Sequence, residues 1–300
     1  MEKRIFGKTG LEVSILGFGG AEVGFSKASV GRVRELLDSA LDAGLNVIDT
    51  AECYMASEEL LGEAVSGRRK NFYLFSKCGH SRGYEHPDWD DIPRMEESLD
   101  LSLTRLRTDY LDLFQIHSCP KDILERGDIL DFMERAKRSG KTRFIGYSGD
   151  NEAALFAVQS GRFDTLQTSI NIAEQRTIDT VLPEAVKQNM GVIAKRPVAN
   201  AAWRHKTRPP DDFYGVTYWD RLQKLDYDFL KKDMGESVAD ALRFTLAVPG
   251  VTVAIVGTQQ PGRWQENACL LARGPLDPRE FTAIRERWKQ RAEKDWEGEI

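Results

Sequence analysis

Cysteine is scarce, and the four present, at 53, 78, 119 and 269, show no CxxC or finger-like spacing. A disulfide scaffold is therefore excluded, no metal site is expected, and a reduced, cytoplasmic protein is the simplest account. Long apolar runs are missing too. The most apolar window, 246–257, is short and broken by Pro249 and Gly250, so it reads as a buried strand and no membrane span is expected. The opening MEKRIFGKTG lacks the apolar core of a secretory signal. Charge of one sign is nowhere concentrated. Forty-two basic and 47 acidic residues are interspersed for a net charge of −5, which gives no electrostatic case for nucleic acid or an anionic membrane. Low-complexity segments and Pro/Ser/Gly linkers are absent as well, so residues 1–300 are expected to form one domain.

What fills the chain is a repeated alternation. Segments 4–6 and 13–16 flank a turn at 7–10 and predict a short hairpin. Eight apolar strands are then expected, at 15–18, 46–49, 72–77, 110–117, 143–147, 165–169, 191–195 and 252–256. Each leads into a helix or a helical pattern, at 29–43, 58–65, 92–106, 123–137, 151–159, 178–188, 237–246 and 263–271. An insertion at 200–233 follows the seventh strand, and 277–296 reads as an added C-terminal helix. Alternating βα units imply a parallel sheet, and eight of them imply a closed (β/α)₈ TIM barrel with an N-terminal β-hairpin.

A barrel of this kind has one active face, at the C-terminal ends of its strands. The second expected strand ends in Asp49, the third in Lys77 and the fourth in His117, and Tyr54 lies on the loop after the second. A free tyrosine titrates near 10, a cation beside it lowers that value, and a carboxylate fixes the cation. The set therefore suits a general acid that protonates a carbonyl oxygen, with His117 orienting the carbonyl. Each residue taken singly also has a structural reading: a loop cap at Asp49, a buried ion pair with Lys77, a satisfied core histidine at His117. Four complementary groups on neighbouring strand ends favour the catalytic one.

The pattern DTAECYMASEELLG, then SKCG, then FQIHS, closely resembles the aldo-keto reductase family, and the likeness runs from LGFGG near residue 16 to RWQEN near residue 267. The resemblance implies NADP-linked reduction of aldehydes and ketones, with NAD possible. It implies Tyr54 as proton donor, Lys77 and Asp49 as its tuning pair and His117 as carbonyl orienter. GTQQPGRWQEN is similar to the family's adenosine-phosphate motif, which would put Gly257, Thr258, Arg263, Glu266 and Asn267 at the cofactor. A loop that turns into a helix offers free N–H groups and a positive dipole end to phosphate, which agrees. Some members carry a lysine where this chain has Gly257, a departure that weakens NADP over NAD. By the same analogy Ser148 and Gln167 would hold the carboxamide, and Gly20, Ala21 and Pro197 would line the pyrophosphate. Lys195 occupies the place where many members stack an aromatic residue on the nicotinamide; either its stem covers the ring or another side chain does.

Three look-alike signals carry less. GFGGAEVG lacks the third glycine of a dinucleotide fingerprint, Tyr73 and Lys77 form a YxxxK on a strand, and GYSGD ends in Asp150 where a nucleophile elbow needs glycine. Trp203, Phe213, Tyr214, Tyr218 and Trp219 in the insertion, with Phe25, Tyr84 and Trp89 on other loops, suit an apolar or ring-bearing carbonyl, several of them serving as anchors. Cys53, Cys78 and Cys119 lie close to the candidate site in sequence, and modest sensitivity to thiol reagents is expected. The expected partner is a small-molecule carbonyl substrate. The alternative is a cofactor-binding regulatory protein resembling potassium-channel β-subunits. A barrel using Lys77 as a Schiff-base amine would leave Tyr54 unexplained.

Overall fold

The computed structural model describes residues 1–26 and 28–299. Its first feature is an antiparallel hairpin, β1 (Lys3–Ile5) with β2 (Glu12–Ser14), in which Lys3 pairs with Ser14 and Ile5 with Glu12. Eight parallel strands then close a barrel: β3 (Leu16–Gly19), β4 (Val47–Asp49), β5 (Tyr73–Cys78), β6 (Leu111–His117), β7 (Thr142–Ser148), β8 (Thr165–Ser169), β9 (Gly191–Lys195) and β10 (Val251–Gly257). β10 pairs with β3, with Ala254 beside Leu16 and Gly257 beside Gly19, which completes the ring. Leu16, expected both at the end of the hairpin and in the first barrel strand, belongs to the barrel.

Two apolar layers follow from the two-residue period of the strands. Val47, Phe75, Leu113, Ile193 and Val253 point inward and pack with Phe6, Leu11 and Val13 of the hairpin region. The hairpin thus stoppers the N-terminal end of the barrel; Phe6 stacks on Phe75 at 5.7 Å between centroids, and a Cβ on Gly191 would land 2.5 Å from the Phe6 ring. Ile48, Leu74, Phe114 and Ile116 point outward and meet the surrounding helices. Every second residue beyond the inward apolar layer is therefore aimed into the open C-terminal end.

The helices depart from expectation at four places. The segment expected at 123–137 is two helices, Lys121–Leu124 and Asp128–Arg138, because Gly127 takes a left-handed conformation (φ 87°) that ends one and starts the other. The segment at 178–188 divides into Arg176–Thr180 and Leu182–Lys187; Pro183 sits in the first turn of the second helix, where its missing N–H costs nothing. The insertion holds a helix of its own, Val216–Leu225, flanked by two short 3₁₀ turns. The C-terminal helix is shorter than expected, Pro278–Arg291, capped by Asp277. Beyond it the chain turns back to the rim of the barrel, where Gly298 and Glu299 meet Asn151 and Arg196. No described helix is long and apolar enough to cross a membrane.

Candidate active site

The inward positions above the apolar layer are Asp49 on β4, Lys77 on β5 and Gln115 on β6, with His117 one step higher. Lys77, with no exposed side-chain surface, donates from Nζ to Asp49 Oδ2 at 2.5 Å and to the Thr50 carbonyl at 2.9 Å. Gln115 donates to Asp49 Oδ1 at 3.3 Å and to Gln167 Oε1 on β8 at 2.9 Å, so one polar layer spans four strands. Burial pushes the Asp49 carboxyl up from its usual range, against the pull of Lys77 and the amide donors.

Tyr54 is placed by a tightly packed loop. Its N–H bonds the Ala51 carbonyl at 3.1 Å, its own carbonyl accepts from Ser57 N–H at 2.9 Å, and Ser57 Oγ bonds both Thr50 Oγ1 (2.8 Å) and the Gly20 carbonyl (2.9 Å). A Cβ on Gly24 would fall 1.9 Å from the Tyr54 carbonyl oxygen, so only glycine lets the helix Ala21–Phe25 lie against this loop. The phenol ring sits over the Lys77 ammonium, 5.1 Å from the centroid, and edge-on to His117 at 5.8 Å. The lowering of the Tyr54 pKa expected from Lys77 is not the net effect. Burial, followed by the facing Tyr84 and Asp49, holds the phenol well above its usual value. Lys77 lies under the ring face, where it stabilises a phenolate less than a hydrogen bond to the oxygen would.

His117 is fully enclosed, and burial first, then Lys77, hold its imidazole neutral. Its Nδ1 lies 3.5 Å from Cys53 Sγ, whose thiol burial pushes up to about 11. A thiol that keeps its proton can donate to Nδ1, an arrangement in which the ring proton of His117 sits on Nε2. Tyr84 lies 5.6 Å from His117 and Phe25 lies 6.0 Å from Tyr54, so two of the expected loop aromatics do wall the site. In the insertion, Tyr214 is exposed, whereas Tyr218 is buried with its hydroxyl on Glu174 at 2.5 Å, and Trp219 donates to the His205 carbonyl at 2.9 Å. Those two are anchors.

Across the mouth, Ser148 ends β7 beside both His117 and Gln167 in the barrel register. The Ser148 hydroxyl is buried and has no hydrogen-bond partner among the described residues. Around β3, the Gly20 N–H bonds the Asp49 carbonyl at 2.7 Å and opens the short helix that begins at Ala21. The Pro197 carbonyl accepts from Thr245 Oγ1 at 2.8 Å. After β10, exposed Gly257 and buried Thr258 lead into the helix Arg263–Leu271, and Thr258 Oγ1 accepts from Gln260 N–H at 3.1 Å. A cleft of about 300 Å³ opens between this helix and Met234–Ala247, lined by Arg263, Glu266 and Asn267. Arg263 is spanned to Glu266 at 2.8 Å, both side chains exposed.

Residues 15–289 match the family model described as the Aldo/keto reductase family. The chain belongs to that family. It is 27% identical to the uncharacterized oxidoreductase YqkF of Bacillus subtilis over 97% of both chains, and 26% identical to L-galactose dehydrogenase of Arabidopsis thaliana over 89% of this chain and 87% of that one. The holo form of the aldo-keto reductase AKR11C1 from Bacillus halodurans superposes with a TM-score of 0.83 at 25% identity, over 98% of this chain and 99% of that one.

In this aldo-keto reductase Lys195 also has a partner that the sequence did not announce. The ammonium is committed to Asp150 at 2.8 Å, and Asp150 also accepts from Thr168 Oγ1 (2.7 Å), Ser169 N–H (2.7 Å) and Ser169 Oγ (3.1 Å). Burial alone would raise the Asp150 carboxyl, but Lys195 and these donors outweigh it and the net shift is downward. The adjacent Arg196, at φ 53°, reaches Tyr214 and Ser169 and the carbonyl of Glu299. The returning tail is pinned there by Gly298 N–H on Asn151 Oδ1 at 2.7 Å and by Arg221 on the Glu297 carbonyl at 2.7 Å. Asp150, Arg196 and the tail escaped sequence reasoning. The aspartate in GYSGD was the one visible signal, a buried acid at a strand end.

Proposed function

We propose that the protein reduces an aldehyde or ketone to the alcohol with a reduced nicotinamide dinucleotide, NADP rather than NAD, with Tyr54 as proton donor. The observation that supports this most is the convergence of Tyr54, Lys77, Asp49 and His117 at one end of the barrel. Two features fit a dinucleotide. The unpartnered Ser148 hydroxyl, beside Gln167, suits a carboxamide that both accepts and donates. The cleft lined by Arg263, Glu266 and Asn267 at a helix N-terminus suits the adenosine phosphate, for which Arg263 would exchange Glu266. Gly20, Ala21 and the backbone at Pro197 would lie along the pyrophosphate between them. When bound, the reduced nicotinamide supplies a hydride to the carbonyl carbon.

The residues of the chain supply the proton. His117, neutral with its proton on Nε2, donates a hydrogen bond to the substrate oxygen and orients it. As negative charge develops on that oxygen, Tyr54 passes it a proton. A phenol with a raised pKa still does so readily, because an alkoxide is far more basic, on the order of hydroxide, whose conjugate acid titrates near 15.7. The same shift keeps Tyr54 protonated throughout the neutral range. The phenolate left behind faces the Lys77 ammonium, which Asp49 and the Thr50 carbonyl hold in place. Asp49 and Lys77 thus act on the product side of the transfer. Tyr84, Phe25 and exposed Tyr214 form apolar walls for the remainder of the substrate.

Fluorescence titration with NADPH and NADH, followed by oxidation of the preferred cofactor with a panel of aldehydes, ketones and sugar aldehydes, tests the reading. The sugars are included because L-galactose dehydrogenase is a relative. Binding with turnover supports the reductase; binding without turnover on any carbonyl points to a regulatory protein, and no binding removes both.

A further inference from the structure

Between Asp49 and Tyr54 lies an acid that the chemistry above does not use. Glu52 is buried, and its Oε1 accepts from two successive N–H groups of the loop after β5, Gly79 at 2.6 Å and His80 at 2.8 Å. His80, buried in turn, places Nε2 3.0 Å from the backbone carbonyl of His117 at the end of β6. A carbonyl only accepts, so Nε2 carries the proton; burial keeps the ring neutral, and Nδ1 is therefore a bare acceptor. The His80 ring stands perpendicular to His117 at 5.4 Å and to Trp89 at 5.0 Å, and a Cβ on Gly79 would lie 2.6 Å from Trp89 Nε1. Among the described residues, Glu52 Oε2, His80 Nδ1 and Trp89 Nε1 all lack partners. Three orphaned polar atoms around one glycine are unusual in a native core.

We propose that Glu52 and His80 form a bracket that positions His117 and Tyr54, tying together the loops after β4, β5 and β6, and that protonation of Glu52 loosens it. Glu52 shares its loop with Tyr54, and through His80 it reaches the strand end that carries His117. When ionised, it holds Gly79 and His80 by charge-assisted bonds; when protonated, the same contacts are ordinary ones. The groups facing it make that change accessible near neutrality. Burial first, then Glu58 from the helix Ser57–Val65 and Asp88 from the loop after β5, push its carboxyl up to about 7, against the two N–H donors. Glu58 and Asp88 are themselves held by Arg105 at 3.2 Å and by Arg82 and Arg94 at 2.8 and 3.3 Å. Cys53 and Cys78, the other titratable neighbours, keep their protons in this range. Both residues are positioning residues, since neither touches the reacting atoms.

The kinetic arm of the test rests on the reductase reading; a spectroscopic arm does not. Ring ¹⁵N spectra of the protein's four histidines, recorded from pH 5.5 to 8.5, should show His80 and His117 shifting with a midpoint near 7 in the wild type and not in E52Q. In kinetics, kcat/KM should drop about fivefold below that midpoint in the wild type, the difference between charge-assisted and ordinary hydrogen bonds, and be flat in E52Q. H80F should lower kcat with cofactor affinity unchanged, and H80Q, which keeps an N–H for the His117 carbonyl, should recover most of the loss. A midpoint near 7 that persists in E52Q, or equal loss in H80F and H80Q, overturns the bracket. Should E52Q fail to fold, the two His80 variants decide. A wild type without turnover removes the reductase reading and leaves the histidine spectra to decide the bracket alone.

Discussion

The Lys195–Asp150 pair gives the most quantitative test of how the site is built. Changing Lys195 to Met removes the ammonium and keeps most of the volume of the stem. Asp150, with no exposed side-chain surface, then holds its charge on Thr168 Oγ1, Ser169 N–H and Ser169 Oγ alone. Removing one partner of a buried ion pair costs about 3–5 kcal/mol. The three surviving donors put K195M at the low end, about 3 kcal/mol. A chain of 300 residues gains roughly 0.6 kcal/mol per kelvin of unfolding entropy at its midpoint, so the melting temperature should fall by about 5 °C. D150N/K195M removes both charges of the pair and should return to within about 1 kcal/mol of the wild type. Differential scanning calorimetry on the two single variants and the double gives the coupling, predicted at 2 kcal/mol or more in magnitude. A K195M shift below about 1 °C, or additive single variants, would refute the view that this pair is a desolvated and mutually dependent unit.

Three further outcomes are expected. Glu52 and Glu174 are both raised from 4.5 to about 7 by burial, so the folded protein binds these protons more tightly than the unfolded chain does. Their contribution to stability is present below pH 4.5 and lost as pH rises through 7; relative to the wild type, E52Q and E174Q should gain stability between pH 5 and 8, by up to about 3 kcal/mol each, and equal pH profiles in urea melts would contradict this. R263Q should weaken NADPH by about tenfold in fluorescence titrations and leave NADH unchanged, whereas equal loss for both would move the phosphate elsewhere. Exposed Cys269 should alkylate first at neutral pH without loss of activity, because the Cys53 thiol, at about 11, is ionised only about one part in ten thousand; mass spectrometry showing Cys53 modified first would contradict its placement against His117.

The barrel was legible because each strand is an apolar run of the right length and the loops are short. Asp49, Lys77 and His117 converge because strand order is also chain order here, with β4, β5 and β6 as neighbours. Helix breaks at Gly127 and before Pro183 were harder, since both flanking segments continue the apolar period and only the local backbone separates them. Glu52 and His80 carried no periodic or motif signal. Their relation depends on two loops meeting above the barrel, which no spacing along one chain encodes. The direction of the Tyr54 shift was equally hidden: Lys77 lies under the ring rather than at the oxygen, and burial, followed by the facing Tyr84 and Asp49, raises the value.

The central claim is that Tyr54 delivers the proton, and Tyr54→Phe tests it most directly. The ring and its packing on Lys77, Phe25 and His117 remain, and only the hydroxyl is lost. With a saturating aldehyde, kcat for NADPH oxidation should fall by 10²–10⁴, the usual range for a general acid, while NADPH affinity measured by fluorescence stays within about twofold of the wild type. Wild-type turnover in the Phe variant would contradict the account.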